Sequence, residues 1–306
     1  MADGIPFVRK LDFQYGRPDR VTPLIRRVVA RNPSSFTFYG TGTYILGAPG
    51  GGGGLAVIDP GPLDDDHVAA LLDAVAGETV SHILITHTHI DHSPAAAPLK
   101  AATGAPTYGF GPHGSGAHPQ HLRFMEGGDR DFVPDIVIGD GDTVAGDGWT
   151  VDVVHTPGHT SNHVCFALRE EKALFSGDHV MGWSTSVISP PDGDMAAYLA
   201  SLHRLLDRDD EIYWPTHGPA ITAPRPHVQA LIDHRRAREA AVLETLAAGI
   251  GRIPDIVDRL YHDVPRNLHP AAGHSVLAHL IDLVARGAVA CDGPPTVDAD
   301  FALADR

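Results

Sequence analysis

Short apolar runs that end in polar or turn-forming residues recur along the first two thirds of the chain. LAVID at 55–59 and HILIT at 82–86 are typical of buried strands, and SFTFYGTGTYIL at 35–46 is rich in the Thr, Tyr and Phe that strands favour. Helical spacing of apolar residues predicts a helix over 64–76. Further strands are predicted at 135–138, 149–155, 163–168, 173–176 and 212–215, and further helices at 93–102 and 194–206. This alternation indicates an α+β protein with helices packed on sheets.

The pattern changes after His217. Residues 225–248 predict one long helix with a face of mixed charge, and 253–263 and 274–287 predict two amphipathic helices. AVACDG at 288–293 indicates a small strand or wing. We therefore predict a catalytic domain over 1–222 and a helical C-terminal module over 223–306, winged-helix-like from about residue 252.

Composition narrows the function classes. The 306 residues carry 23 basic and 38 acidic side chains, a net charge of −15, which argues against a broad nucleic-acid surface. Two cysteines cannot form a disulfide framework. The sequence has neither an apolar signal core near its N-terminus nor the ~18 consecutive apolar residues of a membrane span. We expect a cytoplasmic protein without a membrane partner.

Histidine is abundant, with 20 in the chain, and it is the commonest metal ligand. The predicted strand at 82–86 runs directly into His87-Thr88-His89-Ile90-Asp91-His92. On an extended strand end, residues two apart point the same way, so His87 and His89 can converge on one point. Asp91 and His92 lie in the following turn, which allows the second pair to hold a second metal nearby.

Three later residues each follow a predicted strand and adjoin Gly or Pro: His159 in TPGHT, Asp178 in SGD and His217 in PTHG. Loops at one edge of a sheet present their side chains to a common site. Imidazole suits zinc and iron, and a carboxylate can bridge two cations. Asp59, Thr86 and Ser176 are candidates for orienting the imidazoles from behind.

In this order, H-T-H-I-D-H, T-P-G-H-T, S-G-D and T-H-G resemble the motifs of the metallo-β-lactamase superfamily, from about Asn32 to His217. The resemblance implies an αββα sandwich with two divalent metal ions at the sheet edge, zinc being expected and iron or manganese suiting the same ligands. It also implies three ligand groups: His87, His89 and His159 for the first metal, Asp91, His92 and His217 for the second, and Asp178 bridging both.

A narrower resemblance extends over nearly the whole chain. NPSSFT at 32–37, HRRARE at 234–239 and the winged-helix-like C-terminal module are similar to the β-lactamase-like protein 2 group. Animal members of that group are endoribonucleases on single-stranded RNA, and bacterial members are mostly named only as hydrolases.

These observations lead to a binuclear metallohydrolase in which a metal-bound hydroxide attacks a small ester, thioester or lactone, with Asp91 orienting the nucleophile or moving its proton. The alternative is an endoribonuclease on single-stranded RNA. The resemblance over nearly the whole chain and an arginine-rich helix favour this alternative. The same arginines could instead form a solvated helix face: Arg225, Arg235, Arg236 and Arg238. A winged-helix regulator is least favoured, because 274–287 offers only Arg286 as a basic residue. The oligomeric state is open, a dimer included.

Overall fold

The computed structural model describes residues 4–50, 53–117 and 127–304. Its first sheet has seven strands in chain order, antiparallel from β1 to β4 and parallel from β4 to β7. The strands are β1 Asp19–Arg20, β2 Ile25–Val29, β3 Gly42–Leu46, β4 Leu55–Ile58, β5 Val80–Leu84, β6 Thr107–Gly109 and β7 Ile136–Val137. Helix α1 (Asp65–Ala74) joins β4 to β5, and helix α2 (Ala96–Thr103) joins β5 to β6.

The second sheet has five strands in the order β12-β11-β10-β9-β8. It contains β8 Thr143–Gly146, β9 Trp149–His155, β10 Val164–Leu168, β11 Ala173–Gly177 and β12 Ile212–Pro215. Neighbours are antiparallel except β11 and β12, which are parallel and joined through helix α3, Met195–Leu206.

Three buried clusters define the layers. Tyr44 and Leu84 of the first sheet pack with Phe166 and Phe175 of the second, so the sheets lie face to face. The outer face of the first sheet packs on α1 and α2, and that of the second packs on α3. The predicted αββα sandwich is confirmed.

The C-terminal module contains α4 Pro224–Ala247, α5 Ile253–Leu260, a 3-10 turn Arg266–Leu268, α6 His269–Ala285 and a hairpin of β13 Val289–Cys291 and β14 Phe301–Leu303. Helix α4 contributes to two cores: Val228 and Leu231 pack against the second sheet and α3, whereas Val242 and Leu246 pack against α5 and α6. The predicted boundary between 222 and 223 stays a prediction, since α4 holds both units together.

Among the expectations that differ from the structure, two have a clear local cause. Only Gly42–Leu46 of the predicted strand 35–46 pairs in a sheet, because Phe38 (φ 60°) and Gly40 (φ 137°) turn the chain in the left-handed region. Helix α6 begins at His269, five residues before the predicted start, with Pro270 in its first turn where a missing N–H costs nothing. Among the described residues, no helix is long and apolar enough to cross a membrane.

Candidate metal centre

Both sheets bring strand ends to one edge of the sandwich. Asp59 follows β4, the His87–His92 run follows β5, and His159, Asp178 and His217 follow β9, β11 and β12. An isolated bridge between Thr41 and His217 ties the two sheets together there. The seven residues predicted from motifs therefore meet, although they span 130 positions from His87 to His217.

Their donor atoms fall into three overlapping groups in which all atoms lie within 4.8 Å of one another. The groups are His87 with His89 and His159, His87 with His92 and Asp178, and Asp91 with His92 and His217. The Asp178 Oδ2 atom lies 3.8 Å from His159 Nε2 and 3.6 Å from His92 Nε2, and Asp178 Oδ1 lies 3.4 Å from His217 Nε2. Asp178 thus lies between His159 of the first group and His217 of the third.

The cluster fits divalent cations better than it fits a hydrogen-bond network. His87 Nε2 lies 3.0 Å from His89 Nδ1, which lies 3.1 Å from His159 Nε2. Nitrogens around a tetrahedral zinc are about 3.3 Å apart. His92 Nε2, His217 Nε2 and Asp178 Oδ1 are buried and make no hydrogen bond to any described residue. Such atoms need a partner, and a metal ion would supply one for all three.

The histidines of the cluster differ in the direction of their pKa shifts. Burial, reinforced by neighbouring imidazoles, lowers the pKa of His89 to about 3 and holds the pKa of His87 well below its usual value. Burial opposes protonation of His217 too, but the Asp178 and Asp91 carboxylates raise its pKa to about 10. His92, beside Asp91, Asp178 and Asp59, likewise has a raised pKa. His87 and His89 are therefore neutral, whereas protonated His92 and His217 would compensate the charges of the buried carboxylates.

The buried Asp59 carboxylate organises the cluster from behind. It accepts hydrogen bonds from the Thr86 backbone N–H at 2.8 Å, the Thr86 hydroxyl at 2.7 Å and the Thr216 hydroxyl at 2.9 Å, and its Oδ2 lies 3.0 Å from His92 Nδ1. These contacts turn His92 Nε2 toward the cluster. Asp59 and Thr86 are where the sequence predicted, but Ser176 instead donates to the Val180 carbonyl.

Backbone carbonyls orient two other rings, and sequence reasoning missed them. His159 Nδ1 donates to Val187 O at 2.6 Å, and His217 Nδ1 lies 3.3 Å from Gly40 O. Thr216, also missed, completes the contacts of Asp59. Every residue has a backbone carbonyl, so the residue types at 187 and 40 give no sign that their carbonyls orient a histidine ring.

The remaining histidines near the motifs have structural contacts. His163 Nδ1 faces the Thr156 hydroxyl at 2.9 Å, and its Nε2 accepts the Asp178 backbone N–H at 3.2 Å. His155 stacks on Phe110, and His179 packs against Tyr198. His163 therefore supports Asp178 without joining the cluster.

The four arginines considered for RNA contacts all interact with the protein itself. Arg235 is buried and donates to Ser186 O, while Arg225 donates to Leu206 O. Arg236 contacts His203, and Arg238 donates to Leu260 O above the Tyr261 ring. Arg235 in particular is unavailable to a phosphate.

A cavity of about 580 Å³ opens above the cluster. Five of the seven clustered residues line it, whereas His87 and His92 lie behind them. Asp91 is the most open carboxylate, with 23% of its side chain exposed against 11% for Asp178. Asp91 and His89 are cluster residues that are partly exposed at the cavity.

Sequence comparison agrees with this architecture. Residues 37–217 match the Metallo-beta-lactamase superfamily, and residues 253–294 match the Beta-lactamase associated winged helix domain. The chain belongs to the metallo-beta-lactamase superfamily, whose members usually bind divalent metals, and it is a hydrolase with a C-terminal winged-helix domain.

Two individual proteins are similar to this chain over most of its length. The chain is 31% identical to a beta-lactamase-like protein 2 homolog of Drosophila melanogaster, covering 88% of this chain and 90% of the relative. It is 30% identical to an atrochrysone carboxyl ACP thioesterase of Claviceps purpurea (strain 20.1), covering 79% and 74%. The predicted similarity to the β-lactamase-like protein 2 group is confirmed.

Solved structures support the same fold. A beta-lactamase domain protein from Burkholderia ambifaria superimposes with a TM-score of 0.78 at 21% identity, covering 96% of each chain. A metallo-beta-lactamase family protein from Thermus thermophilus gives 0.73 at 23% identity, covering 92% of this chain and 99% of the other.

Proposed function

We propose that this chain is a binuclear metal-dependent hydrolase acting on a small ester, thioester or lactone. The observation that carries the proposal is the convergence of seven residues with nitrogen or carboxylate donors, in which Asp178 lies between His159 and His217. Two divalent cations, zinc being expected, would lower the pKa of a shared water toward neutrality and polarise the oxygen under attack.

The proposed ligand assignment is the one that the family resemblance implied, and the donor distances are compatible with it. His87, His89 and His159 would hold the first ion, and Asp91, His92 and His217 the second, with Asp178 shared. The two orienting carbonyls and Asp59 leave the other ring nitrogen of His159, His217 and His92 free for a metal. Ring orientation of this kind is usual behind metal-bound histidines.

Asp91 is proposed to act on the nucleophile. Its Oδ2 lies 3.1 Å from His217 Nε2, so it belongs to the second group, yet its side chain also reaches the cavity. A carboxylate in that position can accept a proton from an attacking water and pass it to the leaving group. Asp178, more deeply buried between the two groups, would hold the ions rather than move protons.

The ester, thioester or lactone class is supported over RNA by the cavity itself. Its described lining contains neither Lys nor Arg, and phosphate backbones are bound through such residues. The four α4 arginines are engaged elsewhere, as described above. The thioesterase names among the relatives support an acyl substrate.

The test uses metal-loaded protein and a substrate panel of p-nitrophenyl acetate, acyl thioesters, lactones and single-stranded RNA. We expect about two equivalents of divalent metal per chain, acyl hydrolysis that chelation abolishes, and a His87→Ala variant with at least about 100-fold lower kcat/KM. His262→Ala, an exposed position, is the matched control. RNA cleavage lost in His87→Ala, without acyl hydrolysis, would replace this proposal by the ribonuclease.

A further inference from the structure

The cavity above the metal centre lies between the catalytic domain and the C-terminal module. One wall is the segment after β11, from Met181 to Asp192, and the opposite wall is the start of α6. Pro270, Ala271 and His274 line it, and their spacing places them on one face of the helix. The winged-helix domain thus shapes the space in which a substrate would bind.

Away from the metal cluster most lining residues of the cavity are apolar, and the hydroxyl-bearing ones are Ser35, Ser184, Thr185 and Ser189. Phe36, Ile90, Met181, Trp183 and Val187 line it together with the prolines of both walls. Asp192 is the acidic residue there, and its Oδ1 already accepts the Ser161 N–H. A cavity with apolar walls and one polar end binds an uncharged organic group next to the reacting atoms.

Two exposed apolar side chains, Phe36 and Ile90, line this cavity. Phe36 is 51% exposed and Ile90 is 58% exposed, so both offer apolar surface to a molecule in the cavity. Both lie at the cavity, on loops that also carry motif residues.

The aromatic part of the wall is held rigidly. The Trp183 ring stacks on Phe38 with centroids 4.8 Å apart and 22° between planes. Gly218, at φ 90°, lies so close that a Cβ atom would come within 2.7 Å of Trp183 Cδ1. The packed indole beside the cluster offers a flat surface to an apolar group, and the contacts with Phe38 and Gly218 restrict the ring rotation that binding would have to order.

We propose that this cavity binds an uncharged, apolar acyl group of the substrate, aromatic or of medium chain length, and that α6 is the wall that selects it. The inference rests on the proposed acyl hydrolysis and deepens it. At about 580 Å³ the cavity is in the range of sites for drug-sized molecules and far exceeds an acetyl group. The scissile carbonyl would lie at Asp91 and His89, with the acyl group running toward Pro270 and Ala271.

The experiment measures kcat/KM for N-acetylcysteamine thioesters of acetate, hexanoate, benzoate and 2-naphthoate with the metal-loaded full chain. We expect kcat/KM to rise with apolar size, by up to about fourfold per buried methylene. Ala271→Trp fills the cavity from α6 and should lower the naphthoyl-to-acetyl ratio at least tenfold, mainly through KM. Ala285→Trp, at the exposed end of α6, is the size-matched control and should leave the ratio unchanged.

Direct binding separates failure of this inference from failure of the proposed function. A neutral naphthyl ketone, 2-acetylnaphthalene, is titrated into each protein by calorimetry, with metal content measured in parallel. If no thioester is hydrolysed, binding that is weakened by Ala271→Trp but not by Ala285→Trp still supports the acyl site. Equal binding by both variants, or an active enzyme with no preference across the thioesters, would overturn it.

Discussion

Replacing Asp59 by Asn tests whether the buried carboxylate behind the cluster controls metal binding. Asn is nearly isosteric, and it tolerates the left-handed backbone that Asp59 adopts at φ 48°. Three of the four surrounding groups contact Oδ2: the two threonine hydroxyls and His92 Nδ1. An amide has one acceptor oxygen and one NH2 group, so it can replace only one of the two carboxylate oxygens as an acceptor. The NH2 group must then lie against an N–H or O–H group that also donates.

The expected magnitude follows from those contacts. Losing the partner that orients a metal-bound histidine typically lowers metal affinity by about 10–100-fold, or about 1.4–2.7 kcal/mol. The larger loss should fall on the group containing His92, because Asp59 contacts that ring directly, whereas it reaches His87 only through the Thr86 hydroxyl, 3.1 Å from His87 Nδ1. One of the two equivalents should therefore lose more affinity than the other.

The assay is a zinc titration against a chromophoric chelator, run on wild type, Asp59→Asn and Asp73→Asn, an exposed acid on α1. Thermal unfolding of the metal-free proteins checks that the variant is folded. Unchanged affinity for both equivalents in a folded Asp59→Asn protein would refute the view that this carboxylate orients His92.

Two further predictions concern the proton on His217 and the hydrogen bond from Arg235 of α4 to the Ser186 carbonyl. Because the pKa of His217 is raised to about 10 in the metal-free protein, metal binding must displace its proton. Apparent zinc affinity should therefore rise at least about tenfold per unit between about pH 6 and pH 8, and a flat profile in competition titrations would contradict this. Arg235→Lys should leave the Ser186 carbonyl poorly paired and loosen the Val187 segment that orients His159. We expect about 1–3 kcal/mol lower stability in denaturant unfolding and weaker zinc binding, with Arg236→Lys as the exposed neighbouring control; equal values for both variants would exclude a role for Arg235.

Local patterns predicted the strands that carry the cluster because their apolar runs are short and end in polar motifs. β4 and β5 are such runs, and they are neighbours both along the chain and in the sheet. Strand β2, Ile25–Val29, was not predicted because Arg26 and Arg27 interrupt its apolar pattern. Their charges are paired only in the folded chain, where Arg26 lies 2.7 Å from Glu78 and Arg27 lies 3.4 Å from Asp19.

The sequence by itself determined the residues of the candidate metal centre, because each ligand belongs to a short motif at a strand end and the sheet edge gathers strand ends. Tertiary structure decided which groups orient those ligands, since backbone carbonyls such as Val187 O and Gly40 O carry no residue signature. It also decided the walls of the cavity. Ala271 lies 180 positions after Asp91, and no local pattern of hydrophobic residues encodes a contact between elements that meet only when α4 packs both units together.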